Sequence, residues 1–168
     1  MFLNVVVIRK YTYTNSMHKK NRLSFFAIKK KKKMQDDLYI SHEQVSEDQL
    51  SNEEKLYRKL CKLIQTEELF KDSQIKREDL AVKLGTNRTY LADAIKQFTE
   101  GLTFMEFLNR YRLRHAATLL SEDQDIPINE IGDVSGFNSR STFNRLFRDF
   151  YGMSPSEYRA ISKEKKVK

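Results

Sequence analysis

The sequence predicts an all-α protein in which two similar helical units are joined by one long helix. Glycine and proline are scarce, at five and two of 168 residues, which favours helices over turn-rich β structure. From Leu56 onward, apolar residues recur at helical spacing. A group of residues that ends in Gly85 also returns 51 residues later, ending in Gly136. Two copies of one supersecondary unit are the simplest explanation of that match.

The N-terminal part of the chain differs in composition from the rest. Residues 1–33 contain ten Lys and Arg and no acidic residue, and we expect them to be a disordered basic extension. Because these basic residues follow a short apolar run at 2–8, the alternative is the cytoplasmic flank of a membrane anchor encoded upstream. Residues 34–54 are polar and acidic and are interpreted as a linker, and 161–168 as a basic tail.

Composition also limits the classes of function. Residues 34–168 contain 21 basic and 23 acidic residues, so net charge is no argument that the folded part binds nucleic acid. The single cysteine, Cys61, excludes an intramolecular disulfide and fits a reducing compartment. The three histidines lack metal-ligand spacing with Cys61, and the chain has no phosphate loop, nucleophile elbow or zincin motif. We therefore expect no metal, no cofactor and no enzymatic activity.

A first helix is predicted over 52–67. Its apolar residues follow helical spacing, at Leu56, Leu60, Leu63 and Ile64. Ser51, with Glu54 three residues later, resembles a capping box. Cys61 lies in the apolar phase of this helix and is interpreted as a small core residue.

The first repeated unit has the spacing of a helix-turn-helix. Ala81 is small enough for a second helix to cross closely, and Gly85 suits the left-handed turn that ends the first helix. Leu91 then packs the second helix back onto the first. These positions predict a support helix over 78–84 and a recognition helix over 87–99.

The second unit repeats this pattern. Pro127 is expected at the first turn of a support helix that runs to Val134, a position that proline prefers. Gly136 turns the chain, and Ser139 caps a recognition helix over 140–150. The buried stripe of that helix falls at i, i+3, i+4 and i+7, at Phe143, Leu146, Phe147 and Phe150.

A long helix over about 104–120 is predicted between the units, as a scaffold for both. The segments GLTFMEF and GMSPSEY, which follow the two recognition helices, match each other, although the first unit has one extra residue before Gly101. Arg112 and Arg114 lie on the long helix. For at least one of them we expect an ion pair with a nearby carboxylate rather than a DNA contact.

These segments resemble the AraC/XylS family of regulators. The matching stretches are EDLAVKLG, EFLNRYRLRHAATLL and IPINEIGDVSGFNSRSTFNRLFRDFYGMSPSEYR, and the resemblance covers 55–160. It implies a DNA-binding domain of about seven helices, whose two recognition helices enter successive major grooves ~34 Å apart. Gly132 departs from the alanine usual in the family, which predicts a helix less stable by ~1 kcal/mol.

Base-reading residues are predicted at the start of the second recognition helix. The resemblance maps base contacts onto Arg140, Ser141, Thr142 and Arg145, and Asn144 lies on the same exposed face. Arginine can bond guanine in a bidentate way, and asparagine favours adenine. Contacts to the DNA backbone are predicted for Asn138, Ser139 and Arg148. The alternative is an ordinary solvated helix face.

The first recognition helix offers weaker base-reading chemistry. The resemblance places base contacts at Thr89, Ala92 and Asp93, with Lys96 also exposed. Ala92 can touch only a thymine methyl, and Asp93 can accept from cytosine but otherwise repels phosphate. The backbone is expected to be held by Asn87 (the predicted N-cap), Arg88 and Tyr90. We therefore expect the second unit to carry more of the discrimination.

The resemblance implies a cytoplasmic, nucleoid-associated regulator that binds double-stranded DNA, contacts RNA polymerase and most often activates transcription. No sugar-binding or response-regulator domain is recognisable, so no small-molecule effector site is predicted, and the oligomeric state stays open. One alternative is a protein-interaction module that kept the fold and lost DNA binding, which Ala92, Asp93 and the near-neutral charge motivate. Another is an enzyme, which no group of residues supports. A third is a membrane-tethered regulator.

Overall fold

The computed structural model describes residues 50–122 and 125–166, with side chains up to 163. Within these ranges the chain forms seven α-helices, a short 3-10 turn at Leu69–Lys71 and no strand, which confirms the predicted fold class. The expectations for 1–33 and for most of the linker lie outside the described residues. The helices are α1 Asn52–Thr66, α2 Arg77–Lys83, α3 Arg88–Phe98, α4 Phe104–Glu122, α5 Ile128–Val134, α6 Arg140–Tyr151 and α7 Pro155–Lys166.

Helix α1 begins where the sequence predicts. Ser51 Oγ accepts a hydrogen bond from the Glu54 backbone N–H at 3.1 Å, while the Glu54 carboxylate accepts from Arg58 at 2.8 Å. Leu60 and Ile64 are fully buried, and α1 packs against α3. Cys61 is buried as expected, and burial raises the pKa of its thiol.

The first unit forms the predicted helix-turn-helix from α2 and α3. Gly85 has φ +65° and ends α2, and the Thr86 N–H donates to the Ala81 carbonyl at 2.9 Å. Asn87 is the N-cap of α3, because its Oδ1 accepts from the backbone N–H groups of Thr89 and Tyr90 at 3.0 and 2.8 Å. Local hydrogen bonding therefore fixes both ends of this turn.

The second unit consists of α5 and α6. Gly136 has φ +88°, and Ser139 Oγ accepts from the Thr142 N–H at 3.4 Å, as the predicted cap. The expectation for Pro127 is wrong by one position. Its ψ of 141° is extended and its carbonyl accepts from the Ile131 N–H at 3.1 Å, so Pro127 is the N-cap and α5 starts at Ile128.

Helix α4 is the shared scaffold. Phe107, Leu108 and Tyr111 on its first half are buried within the first unit. Its second half packs with α5 and α6 in one core cluster, whose fully buried members include Ala116, Leu120, Ile131, Phe143 and Phe147. Leu146 and Phe150, which the sequence places in the same stripe, are partly buried against that cluster.

The two units end in the same hydrogen-bonded motif. Thr103 Oγ1 accepts from the Glu106 N–H at 3.3 Å, and the Glu106 carboxylate accepts from the Thr103 N–H at 2.8 Å. Ser154 and Glu157 repeat these bonds at 3.3 and 2.7 Å. The internal repeat thus extends to its capping boxes, at the start of α4 and of α7.

Arg112 has a structural role, and its hydrogen bonds go to two backbone carbonyls and the Asn109 side chain rather than to a carboxylate. Its Nε and Nη2 donate to the backbone carbonyls of Phe70 and Asp72 at 2.8 and 3.0 Å. The side chain is 4% exposed, which removes it from any DNA-facing surface. Phe70 lies in the 3-10 turn, whereas the Asp72 carbonyl follows it and also accepts from the Ile75 N–H at 3.4 Å.

Candidate nucleic-acid interface

The exposed face of α6 collects the side chains predicted to read DNA. Arg140, Ser141, Arg145 and Arg148 are exposed, and Asn144 lies half-buried on the same face. Their spacing of i, i+1, i+4, i+5 and i+8 places them together on one side of a helix. Thr142 is half-buried beside them. Phe143 and Phe147, on the opposite side, are fully buried and fix the rotation of α6 about its axis.

The residues before α6 have structural partners. Ser139 Oγ caps the helix and lies 2.8 Å from Ser141 Oγ, so these two hydroxyls share a hydrogen bond. Asn138 is exposed, and its Nδ2 donates to the Ser73 carbonyl at 3.4 Å. A phosphate at this end of α6 would therefore compete with bonds that already exist.

Helix α6 is strongly basic on its exposed side. It contains three arginines and one acid, Asp149. Arg145 Nη1 lies 3.6 Å from Asp149 Oδ2, with both side chains about two-thirds exposed. Such an i,i+4 surface pair is weak and screened by salt, so the guanidinium remains free to exchange the carboxylate for a base or phosphate.

The exposed face of α3 has the same geometry with different chemistry. Arg88, Thr89, Asp93 and Lys96 are exposed and Ala92 is half-buried, again at i, i+1, i+4, i+5 and i+8. Leu91, Ala94 and Ile95 are fully buried on the other side. The structure brings all five predicted residues onto one surface. That surface holds two cations and one carboxylate and lacks the Asn and second Arg of α6.

Two acidic residues at this surface were missed in the sequence. Glu53, in the first turn of α1, accepts a 2.5 Å hydrogen bond from the Tyr90 hydroxyl. This bond lowers the pKa of Glu53 and raises that of Tyr90. Glu78 Oε1 lies 3.8 Å from Arg88 Nη1. Because 37 residues separate Glu53 from Tyr90, only the packing of α1 on α3 reveals their contact.

The remaining described residues offer little competing chemistry. No group of His, Cys, Asp and Glu in residues 50–122 and 125–166 has an arrangement that could hold a metal ion. In the same part of the chain, no helix combines the length and the apolar character needed to cross a membrane.

Comparison with known proteins gives consistent matches. A family model described as a helix-turn-helix domain matches residues 80–161. The probable transcription factor PqrA of Proteus vulgaris is 31% identical over 106 residues, which are 63% of this chain and 84% of that protein. The melibiose operon regulatory protein of Escherichia coli K12 is 34% identical over 95 residues, 56% of this chain and 31% of that protein.

A solved structure agrees with these relatives. The C-terminal domain of AraT, a response regulator from Geobacillus stearothermophilus, matches with a TM-score of 0.56 at 31% identity, covering 67% of this chain and 88% of that one.

Two helix-turn-helix units on one scaffold helix, with such relatives, define a DNA-binding regulator of transcription. The chain belongs to the AraC/XylS family of transcription regulators. It spans less than a third of the melibiose regulator's length but most of PqrA.

Proposed function

We propose that the chain binds double-stranded DNA in a sequence-specific way, with α3 and α6 lying in two successive segments of the major groove. The supporting observation is that both helices expose polar residues at the same four helical positions, with a half-buried Ala92 or Asn144 at a fifth, while their opposite faces are buried. A monomer of this kind reads a bipartite site of roughly two helical turns, about 20 base pairs. The DNA-binding domain is proposed to span 55–160.

The proposed roles of the residues follow from their chemistry and exposure. On α6, Arg140 and Arg145 would bond guanine edges, and Asn144 an adenine, with Ser141 and Thr142 beside them. Asn138, Ser139 and Arg148 would hold phosphates. On α3, Thr89, Ala92 and Asp93 would face bases, whereas the backbone would be held by Asn87, Arg88, Tyr90 and Lys96.

The proposed outcome of binding is activation of transcription through contact with RNA polymerase, in the cytoplasm at the nucleoid. The proposed chemistry is binding alone, without a catalysed reaction. The melibiose relative is by its name an operon regulator, and regulation of a promoter is the corresponding role for this chain.

The test is selection of bound duplexes from a random library, followed by titration of the selected duplex against salt. We expect a bipartite motif and an affinity that falls steeply with salt, because phosphate contacts release counterions. Arg145→Ala should relax the preference at one or two positions of the second half-site. Selection that yields no motif, with equal affinity for random DNA, would overturn sequence-specific reading.

A protein-interaction module is the second candidate, favoured by the acids of the first unit. Glu53 and Glu78 contact Tyr90 and Arg88, two residues proposed to hold DNA. A gel shift with random duplex at low salt separates the candidates, because even non-specific DNA contacts are detected there. Absence of any shift would favour the interaction module.

A further inference from the structure

The two units touch each other directly, beside the scaffold helix, at a contact that we name the inter-unit joint. From the first unit's side it contains the segment 70–73, which begins within the 3-10 turn and leads into α2, and from the second unit the turn 135–138. Two residues of α4, Arg112 and His115, lie between them. The joint is buried at its centre, since Phe70, Arg112 and Ser135 are 7%, 4% and 0% exposed.

Arg112 fixes the first unit's side of the joint. Its three donor nitrogens bond Phe70 O at 2.8 Å, Asp72 O at 3.0 Å and Asn109 Oδ1 at 3.3 Å. A buried guanidinium with several partners holds its neighbours in one geometry, because any shift leaves a charged donor unsatisfied. Segment 70–73 is thereby fixed relative to α4.

Gly136 brings the second unit against that segment. A Cβ on Gly136 would lie 2.3 Å from Phe70 O, 2.9 Å from Lys71 O and 3.0 Å from Arg112 Nε. Only glycine therefore allows this approach of two backbones. The corresponding turn glycine of the first unit, Gly85, has no such neighbour, since a Cβ there would meet nothing within 4 Å.

Three further contacts lie in the joint. His115 Nδ1 and Ser135 Oγ lie 3.0 Å apart, and the His115 ring packs on Phe70 with ring centroids 5.5 Å apart. Asn138 Nδ2 donates to Ser73 O at 3.4 Å. Asn138 precedes α6 by two residues, so the joint continues to the start of the second recognition helix.

We propose that the inter-unit joint fixes the orientation of α6 relative to α3, and thereby selects the DNA spacer length that the protein accepts between its two half-sites. This inference rests on the proposed DNA-binding function. Inserting one base pair moves a half-site by ~3.4 Å and rotates it by about a tenth of a turn. A rigid joint cannot follow that change, whereas a loosened joint can. Arg112 and Gly136 are thus positioning residues that touch no DNA.

The experiment measures affinity for the selected duplex with spacers one base pair shorter, unchanged, and one or two base pairs longer. For the wild-type chain we expect the best spacer to be favoured at least about tenfold, comparable to the loss of one base contact. In Arg112→Gln the preference should fall to about threefold or less, because one amide cannot replace three donors. Arg112→Lys, which keeps the charge and fewer bonds, should give an intermediate ratio.

Gly136→Ala provides a second variant, with Gly85→Ala as its matched control. Both impose a side chain on a left-handed turn, but only Gly136→Ala places a Cβ in the joint. We expect loss of spacer preference in Gly136→Ala and full preference in Gly85→Ala. Circular dichroism and thermal unfolding establish which variants are folded. Ser135→Ala, which removes only the partner of His115, replaces either joint variant that does not fold.

The outcomes separate the two proposals. A wild-type chain that binds no duplex at low salt overturns the proposed function itself. If the wild-type chain binds the selected DNA with equal affinity at every spacer length, the proposal that the joint determines spacing is overturned. Folded joint variants that keep the wild-type spacer ratio also overturn it. We expect the joint variants to keep the wild-type base preference within each half-site while their preference for one spacer length falls.

Discussion

The two recognition helices present one geometry and two chemistries. The five positions on the outer face of each helix correspond one to one, as Arg88 and Arg140, Thr89 and Ser141, Ala92 and Asn144, Asp93 and Arg145, Lys96 and Arg148. The first, second and fifth pairs are chemically similar. At the third and fourth positions, α6 has Asn and Arg where α3 has Ala and Asp. Only α6 thus has both side chains that bond base edges in a bidentate way. The comparison supports the proposal that the first unit mainly positions the domain on DNA while the second mainly discriminates between base sequences.

The turns of the two units differ in their surroundings. Gly85 and Gly136 both have positive φ, of +65° and +88°, but Gly85 faces open space and Gly136 faces the carbonyl of Phe70. The first glycine is needed for its backbone conformation alone, and the second also for its missing side chain. The second unit therefore depends on the first for its packing, through the inter-unit joint.

The largest expected effect tests this difference between the two turns by alanine substitution of each glycine. Gly85→Ala should cost roughly 1 kcal/mol of unfolding free energy, the cost of a left-handed alanine. Gly136→Ala should cost about 3 kcal/mol or more, because the added methyl also overlaps a backbone carbonyl. Urea denaturation followed by circular dichroism measures both. Equal losses in the two variants would show that the joint does not constrain Gly136.

Next in size is the contrast in base reading. Arg145→Ala should lose about 1–3 kcal/mol of discrimination at one base of the second half-site. Arg88→Ala should instead weaken binding to all sequences alike, and the slope of log affinity against log salt concentration should become shallower by about one. Competition binding with single-base operator variants at two salt concentrations measures both quantities. If Arg88→Ala narrows or shifts base preference and Arg145→Ala does not, the assignment of roles is reversed.

A smaller effect concerns how each recognition helix crosses its support helix. The first unit pairs Ala81 with Leu91, and the second pairs Gly132 with Phe143, whose Cδ1 would lie 3.0 Å from a Cβ on Gly132. The glycine thus makes room for the larger aromatic ring. Gly132→Ala should lose about 1 kcal/mol net, because crowding exceeds the ~1 kcal/mol gain in helix propensity.

The double variant Gly132→Ala with Phe143→Leu reproduces the pairing of the first unit. When Phe143→Leu is already present, adding Gly132→Ala should cause no loss of unfolding free energy. A double-mutant cycle should therefore give a favourable coupling between the two residues of about 1 kcal/mol or more. Additive free energies would mean that the two residues do not constrain each other.

The smallest expected effect concerns Glu53. Glu53→Gln keeps an acceptor for the Tyr90 hydroxyl but removes a negative charge beside α3, so DNA affinity should rise about twofold to threefold at low salt and less at high salt. Gel shifts at the two salt concentrations measure it. Glu122→Gln, which removes an exposed carboxylate at the C-terminal end of α4, is the charge-matched control. If Glu53→Gln bound DNA with unchanged or weaker affinity, the carboxylate of Glu53 would not repel the bound DNA.

The sequence was most informative where structure is local. Ser51, Asn87 and Ser139 cap their helices as predicted, and Gly85 and Gly136 end the support helices. Each of these features depends on bonds within a few residues of the chain. The shift of one residue at Pro127 is also local, because proline suits the N-cap and the first turn almost equally and its ψ decides between them.

The amino-acid sequence by itself determined the helices, the internal repeat and the face that each recognition helix exposes, since helical periodicity and capping act over short distances. Tertiary structure alone decided which polar groups meet. The bonds of Tyr90 to Glu53, of Arg112 to Phe70 and of Asn138 to Ser73 join residues 37, 42 and 65 positions apart. No local pattern encodes such partners, because each depends on how completed helices pack on α4 and on one another.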